Sequence, residues 1–376
     1  MKHKFEYINS ELKKIRKHNL YRKMYDSKIT DAYISINSKT LINLCSNDYL
    51  GIIQPKISNK QNQSSSRLVS GNDNSFRILE EKLAKHKSQE SSLIFPTGYM
   101  ANLGVISTLV GKNDLVLSDK LNHASLIEAC KLSNAKLSIF KHNDMDDLTR
   151  KIKLKAKRKF IITEGIFSMD GDFSNLNEIS EISEKNNLII ILDDAHGDFV
   201  IGNNGKGTAN YFGVSKKIDV YISSLSKGLG SFGGYVSSKK NVIDLCINKS
   251  KSFIYTSALP TAIINDGIKR FDSNREVRRK TLWKNVEYFS DGLKKIGFDI
   301  KSPSHIIPIR IGKEKLALEF SKYLFRNGIY AQAIRYPTVP HNQARIRISI
   351  TARLTKKHMT YALSIFENAK KRFQLI

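Results

Sequence analysis

From about residue 75 onward the chain alternates short apolar runs with amphipathic helical stretches. The runs are DLVLSD (114–119), AKLSIF (135–140), KFIITEG (159–165), NLIIILDD (187–194), DVYISS (219–224) and GGYVSS (233–238). Helical spacing lies between most of them, notably at 124–133 and 176–186. It also precedes them in FRILEEKLAKH (76–86), where Ile78, Leu79 and Leu83 share one side. Near-continuous apolar strands between helices predict a largely parallel sheet covered on both faces. Ligands of such sheets bind beyond the carboxyl ends of the strands, so polar residues that follow a strand are the ones to inspect.

After about 275 the pattern changes. A charged helix (275–295) is followed by HIIPIRIG (305–312), a helix (314–327), IYAQAIRYP (329–337) and ARIRISI (344–350). The last has period two, with Ile346, Ile348 and Ile350 on one face and Arg345, Arg347 and Ser349 on the other. At the other end, residues 2–25 read as a basic helical arm, LINLCSNDYLG (41–51) as a short strand ending in a turn, and SNKQNQSSS (58–66) as a loop. The expected architecture is α/β: an N-terminal segment (1–45), a large domain with a mostly parallel sheet between helices (46–275), and a smaller α+β C-terminal domain (276–376).

Composition narrows the function classes. At 376 residues and 40% hydrophobic content the chain has ample material for a core. No apolar run reaches eighteen residues, and the charged N-terminus lacks a secretory apolar segment; a cytoplasmic protein with no membrane partner is expected. Cys45, Cys130 and Cys246 are far apart and form no C-x-x-C pair, which argues against a zinc site or disulfide framework. The net charge of +27 raises the question of a polyanion partner. Its densest stretch, KIKLKAKRK (151–159), reads as the solvated face of a helix leading into a strand. It has no interleaved aromatic platform, so nucleic acid is not expected as a partner.

Four segments carry candidate chemistry. In NLIIILDDAHG a buried strand ends in Asp193, Asp194 and His196, which suits either a capped turn or a grip on one ligand. In DVYISSLSKGLGSFGG, Lys227 follows a buried strand among Ser223, Ser224, Ser226 and four glycines. A lysine is by default a surface residue, but one desolvated there has the lowered basicity of a Schiff-base amine. In SSLIFPTGYMANLG, Thr97-Gly98-Tyr99 stands where a strand turns into a helix, a common turn that also makes a phosphate site. In DKLNHASLIEA, His123 precedes a helix, where a capping role is the simplest reading.

Taken in order, these segments resemble the α-oxoamine synthase family of fold-type I pyridoxal-5'-phosphate (PLP) enzymes, whose fold is that of the aspartate aminotransferase-like transferases. The resemblance runs from about 41 to 352, through NDYLG (47–51), SRLVSGN (66–72), LNHASLIEA (121–129), TEGIFSMDGD (163–172), DDAHG (193–197), SKGLG (226–230) and AIRYPTVP (333–340). It implies that Lys227 carries PLP as a Schiff base, that Asp193 pairs with the pyridine nitrogen, and that His123 stacks on the ring. It further implies that His196 and Ser168 contact the ring's phenolic oxygen, and that Thr97, Gly98, Tyr99 and Ser224 hold the phosphate. Ser257 would reach the phosphate of a neighbouring subunit in a homodimer. Asn47 and Arg335, with Arg22 in the basic arm, would position the substrate carboxylate. Two departures stand out: Ser64, Ser65 and Ser66 replace glycines common before SRLVSGN, and Asp198-Phe199 follows DDAHG, which is expected to change the electrostatics near His196.

The implied reaction is decarboxylative condensation of an amino acid with an acyl thioester. SRLVSGN, IFSMDGD and DDAHG favour the member that joins L-alanine to a pimeloyl thioester, carried by CoA or a carrier protein, in biotin synthesis. Glycine C-acetyltransferase, 5-aminolevulinate synthase and serine palmitoyltransferase share the same lysine, aspartate and histidines and are the near alternatives. A basic polyanion-binding protein without enzymatic activity is the distant one.

Overall fold

The computed structural model describes residues 4–53 and 64–374. Most of the polar stretch read as a loop therefore lies outside the described residues. In chain order, a helix at Glu6–Lys17 precedes β1 (Ser27–Thr30), β2 (Tyr33–Ile36) and β3 (Lys39–Asn43). Then come β4 (Ser91–Phe95), β5 (Leu115–Asp119), β6 (Lys136–Phe140), β7 (Lys159–Glu164), β8 (Ile189–Asp193), β9 (Val220–Ser224) and β10 (Gly234–Ser238). The chain closes with β11 (Ile306–Gly312), β12 (Ile329–Tyr330), β13 (Ala333–Ile334) and β14 (Ala344–Ser349). It divides into two compact units, one of residues 47–168 and 172–281, the other of 1–46, 169–171 and 282–376.

The first of these holds a seven-stranded sheet in the order β4-β10-β9-β8-β7-β5-β6. Only β10 runs against its neighbours, which matches the largely parallel sheet expected. Alternate residues of each strand go to opposite faces, and both faces are buried. Val116, Phe160, Ile162, Ile191, Val220 and Ile222 meet the helices Gly98–Leu109, Ala124–Leu132 and Lys240–Lys249 on one face. Leu115, Leu117, Ile161, Ile190, Leu192 and Tyr221 meet Met145–Ile152 and Leu176–Asn186 on the other. That double cover is why the strands read as continuous apolar runs rather than as alternation.

The second unit contains a sheet β1-β2-β3-β12 and an antiparallel sheet β11-β14-β13. The stretch 329–337 is split between the two. Between its halves the Gln332 amide donates to Cys45 Sγ at 3.3 Å, and Ser321 donates to the Ala331 carbonyl at 2.7 Å, so the backbone turns away from a ladder. The N-terminal arm is helical only at Glu6–Lys17. Asn19 has a positive φ of 59°, which ends the helix, and residues 19–26 are irregular. Likewise the basic stretch 151–159 leaves the helix after Ile152 and runs through turns to β7. Among the described residues no helix is long and apolar enough to cross a membrane, and the three cysteines are free.

Candidate functional site

The residue parity of three neighbouring strands builds the site. Ser224 ends β9, Asp193 ends β8 and Glu164 ends β7. Each is two residues beyond an apolar residue of the first face (Ile222, Ile191, Ile162), so all three point to the side of the helices Gly98–Leu109 and Ala124–Leu132. They stand at the carboxyl edge of the sheet, where the topology predicts a ligand.

Lys227 lies in the turn after β9, and its amine is 2.9 Å from His196 Nε2. The His196 ring is held from behind, with Nδ1 2.6 Å from the hydroxyl of Tyr49, and Tyr49 donates to Asn47 Oδ1 at 3.1 Å. Tyr49 has a single hydroxyl proton. With that proton given to Asn47, His196 donates from Nδ1 and presents the Nε2 lone pair to Lys227. Asp193 is buried. Its Oδ2 accepts from Asn102 Nδ2 at 2.8 Å and its Oδ1 from the Ala195 amide at 3.0 Å, which fixes the carboxyl plane. Asn102 also donates to Ser125 Oγ at 2.9 Å, next to His123.

His123 caps the helix Ala124–Leu132, its Nδ1 accepting from the Ser125 amide at 3.3 Å. The capping role expected of it is thus real, and the rest of the ring is exposed. Partial desolvation and the Lys227 charge lower its basicity against the opposing pull of Asp193. Thr97 caps the helix Gly98–Leu109, accepting from the Met100 amide at 3.1 Å. A Cβ at Gly234 would sit 2.5 Å from the backbone of Gly98, and one at Gly98 would sit 3.1 Å from Ser224 Cβ. These residues must be this small for the helix N-terminus, β9 and β10 to meet. Beside them Tyr99 donates to Glu128, and Ser224 Oγ lies 2.9 Å from Ser226 Oγ.

Ser168 is buried, and its amide donates to the Glu164 carboxyl. Ser257 is exposed in the loop before the helix Thr261–Asp272, where it lines a surface crevice with Arg67, Phe95 and Phe253. Arg22 and Arg335 belong to the other unit. There Arg335 Nη1 donates to the Asn19 carbonyl at 3.0 Å, and Arg22 Nη2 is 3.5 Å from Thr338 Oγ1.

Tyr49, Asn102, Glu164 and Lys87 also shape this region, with no role expected of them from the sequence. Tyr49 sits inside the quoted NDYLG motif, and Asn102 lies one turn after Gly98, so both were within reach. The expectation for Asp198 is corrected. Its side chain lies on the opposite sheet face, where it meets Lys87 Nζ at 2.7 Å, His86 Nε2 at 3.0 Å and Ser223 Oγ at 2.9 Å, and accepts from Tyr235. Lys87 also reaches Asp194 Oδ2 at 2.9 Å and the Lys206 carbonyl at 3.0 Å. The extra aspartate is therefore matched by Lys87 beneath the sheet edge.

The family model for aminotransferase class I and II matches residues 39–366. The chain is similar to the 8-amino-7-oxononanoate synthases of Thermoanaerobacter pseudethanolicus (40% identity, 100% of this chain and 99% of the relative) and Bacillus subtilis (34%, 100% of both). Among solved structures it resembles a serine palmitoyltransferase from S. paucimobilis with a bound PLP–myriocin aldimine (26% identity, 99% of both chains, TM-score 0.92). It also resembles an 8-amino-7-oxononanoate synthase from Francisella tularensis (28%, 89% of this chain and 99% of that one, TM-score 0.74).

Proposed function

The chain belongs to the aminotransferase class I and II family, in its α-oxoamine synthase branch, and we propose that it condenses L-alanine with a pimeloyl thioester to give 8-amino-7-oxononanoate and carbon dioxide. The observation that carries this reading is the Lys227–His196 contact beside the clamped Asp193 carboxyl, at the carboxyl edge of the sheet. The residues fit PLP. Gly98, Ser224 and Gly234 let a helix N-terminus approach the sheet edge closely, and such an N-terminus favours a phosphate. When bound, PLP supplies an electron-accepting ring that stabilises a carbanion at the amino-acid α-carbon.

Every other part of the chemistry falls to side chains. Asp193 keeps a proton on the ring nitrogen, its own geometry fixed by Asn102 and Ala195. His123 covers the ring face, and Ser168 and His196 hold the ring oxygen. Thr97, Gly98, Tyr99 and Ser224 hold the phosphate, with Ser257 contributed by a second copy in a homodimer. Lys227 acts as the base at the α-carbon of alanine and must be neutral to do so. His196 Nε2, 2.9 Å away, holds that amine in place. The α-carbon then bonds to the thioester carbonyl, the thiol leaves, the alanine carboxyl departs as carbon dioxide, and the α-carbon takes back a proton. Asn47, Arg335 and Arg22 position the substrate carboxylate. The setting is cytoplasmic, with CoA or a carrier protein as the thiol.

The overlay with serine palmitoyltransferase favours a second reading, serine with a long-chain thioester. Thiol release separates the two. The PLP-loaded protein is offered pimeloyl-, acetyl-, succinyl- and palmitoyl-CoA, each with alanine, glycine or serine. Release confined to alanine plus pimeloyl-CoA supports the proposal, whereas serine plus palmitoyl-CoA replaces it. Lys227→Ala abolishes turnover, and retained activity in that variant would sink the site assignment.

A further inference from the structure

Glu164 has no part in the chemistry just described, yet its Cα pairs directly with that of Asp193 across β7 and β8, and strand parity puts both side chains on the same face. It is 3% exposed. Its carboxyl accepts from the backbone amides of His123 and Ser168, while Oε1 has no partner among the described residues. A buried carboxylate oxygen without a donor is costly, and in a fold otherwise well paired it calls for an explanation.

We propose that Glu164 is a positioning residue of the site, its carboxyl tying the turn that carries His123 to the turn that carries Ser168, on either side of Asp193. The inference rests on the functional reading above, since it is that reading which makes His123 and Ser168 matter. The groups that face Glu164 are Asp193 from β8, Lys227 from the turn after β9, and His123 from the turn after β5; His196 and Tyr49 stand beyond Lys227. Burial, and next the Asp193 charge, push the Glu164 carboxyl up to about 8 against the pull of Lys227 and the two amides. At neutral pH it therefore holds its proton, which removes the penalty of a bare buried charge. The site then carries one negative charge on this edge rather than two. A purely structural glutamate would add stability but would leave no titration in the site.

The test is a pH titration of the cofactor's visible absorption in the full-length PLP-loaded chain, without substrate. The unmodified chain shows a step above the ordinary carboxylate range in addition to the cofactor's own. E164Q keeps an acceptor for the amides and cannot ionise, so it binds PLP as tightly and loses that step. E164A leaves both amides without an acceptor and binds PLP at least about tenfold more weakly. The inference is overturned if the unmodified chain lacks the step, if the step survives in E164Q, or if E164A binds PLP like the unmodified chain. The first of these needs no variant to fold. Failure of the unmodified chain to take up PLP through Lys227 would overturn the functional reading instead, a different result from any of the three.

Discussion

Replacing Lys87 by methionine isolates the buried network that lies under the site. Met keeps most of the side-chain volume and removes only the charge and its donors. In the unmodified chain the Lys87 ammonium donates to Asp194 Oδ2 at 2.9 Å, meets Asp198 Oδ1 at 2.7 Å and donates to the Lys206 carbonyl at 3.0 Å, and both carboxylate side chains are fully buried. Removing one partner of a buried ion pair costs about 3–5 kcal/mol, because the other charge is left without compensation. Here two carboxylates lose the same cation, so Lys87→Met should sit at the upper end of that range. The cost is set by protonation, which fixes the sign of its pH dependence. In the unmodified chain Lys87 and His86 outweigh burial and hold Asp198 well below its ordinary value of 3.8. Its contribution is thus fully present above that pH and lost only as pH falls through it. Without Lys87, burial dominates and the folded carboxyl rises above its unfolded value, so the variant loses stability as pH climbs. The gap between the two proteins therefore widens from acidic to neutral pH. Urea unfolding followed by circular dichroism at several pH values reads this directly, with the midpoint shifting and the slope unchanged. A gap below about 1 kcal/mol, or one that does not change with pH, would refute the reasoning. Asp198→Asn added to Lys87→Met should recover part of the loss.

Three more expectations follow from single contacts. His142 lies between Asp119 at 2.9 Å and Asp172 at 2.6 Å, which outweigh burial and raise it from 6.5 to about 10. Its stabilisation is fully present below pH 6.5 and lost as pH rises toward 10, so the deficit of His142→Gln, on the order of 3 kcal/mol, should shrink over that window; a deficit constant in pH would disprove it. Tyr49→Phe removes the hydroxyl 2.6 Å from His196 Nδ1 and should lower kcat about tenfold with little change in KM, so an unaltered kcat in steady-state assays would count against the Lys227–His196–Tyr49 chain. Gly234→Ala places a Cβ 2.5 Å from the Gly98 backbone and should weaken PLP binding while destabilising the fold by about 1–3 kcal/mol; an unchanged Tm and affinity would show that the contact is looser than its geometry implies.

Local chemistry was legible in the sequence, and non-local chemistry was not. Asp193, His196 and Lys227 each follow an apolar run of their own strand, and Thr97 and His123 each precede a helix, so a few neighbouring residues announce them. The sheet was readable for the same reason, since burial on both faces leaves continuous apolar runs. The split of residues 329–337 was hidden because it depends on Cys45 and Ser321, distant partners that take the backbone groups a strand would need. Tyr49 and Asn102 were visible as motif letters, but their roles are fixed by contacts 147 and 91 residues away. Lys87 was the hardest case. It is one basic residue among 62, and its two carboxylates lie more than a hundred positions along the chain.

The strand period of two links the legible part to the hidden part. At the carboxyl edge, Ser224, Asp193 and Glu164 face the site, and the residues immediately beside them face away. Ser223 donates to Asp198, and Asp194 binds Lys87 and Thr208, so the ends of β8 and β9 each turn one residue to the site and an adjacent one to the network below. A one-residue slip in register would exchange the two sets. It would bury Asp193 against Lys87 and turn Asp194 toward the site. The network thus does more than stabilise the fold, because a single cation that accepts Asp194 and Asp198 together fixes both ends of the 194–198 turn. His196 lies between those ends, and with the turn held there its Nε2 can face Lys227 only on the upper side of the sheet. Asp198, which at first reads as a stray charge beside His196, is on this account one of the two anchors that aim it.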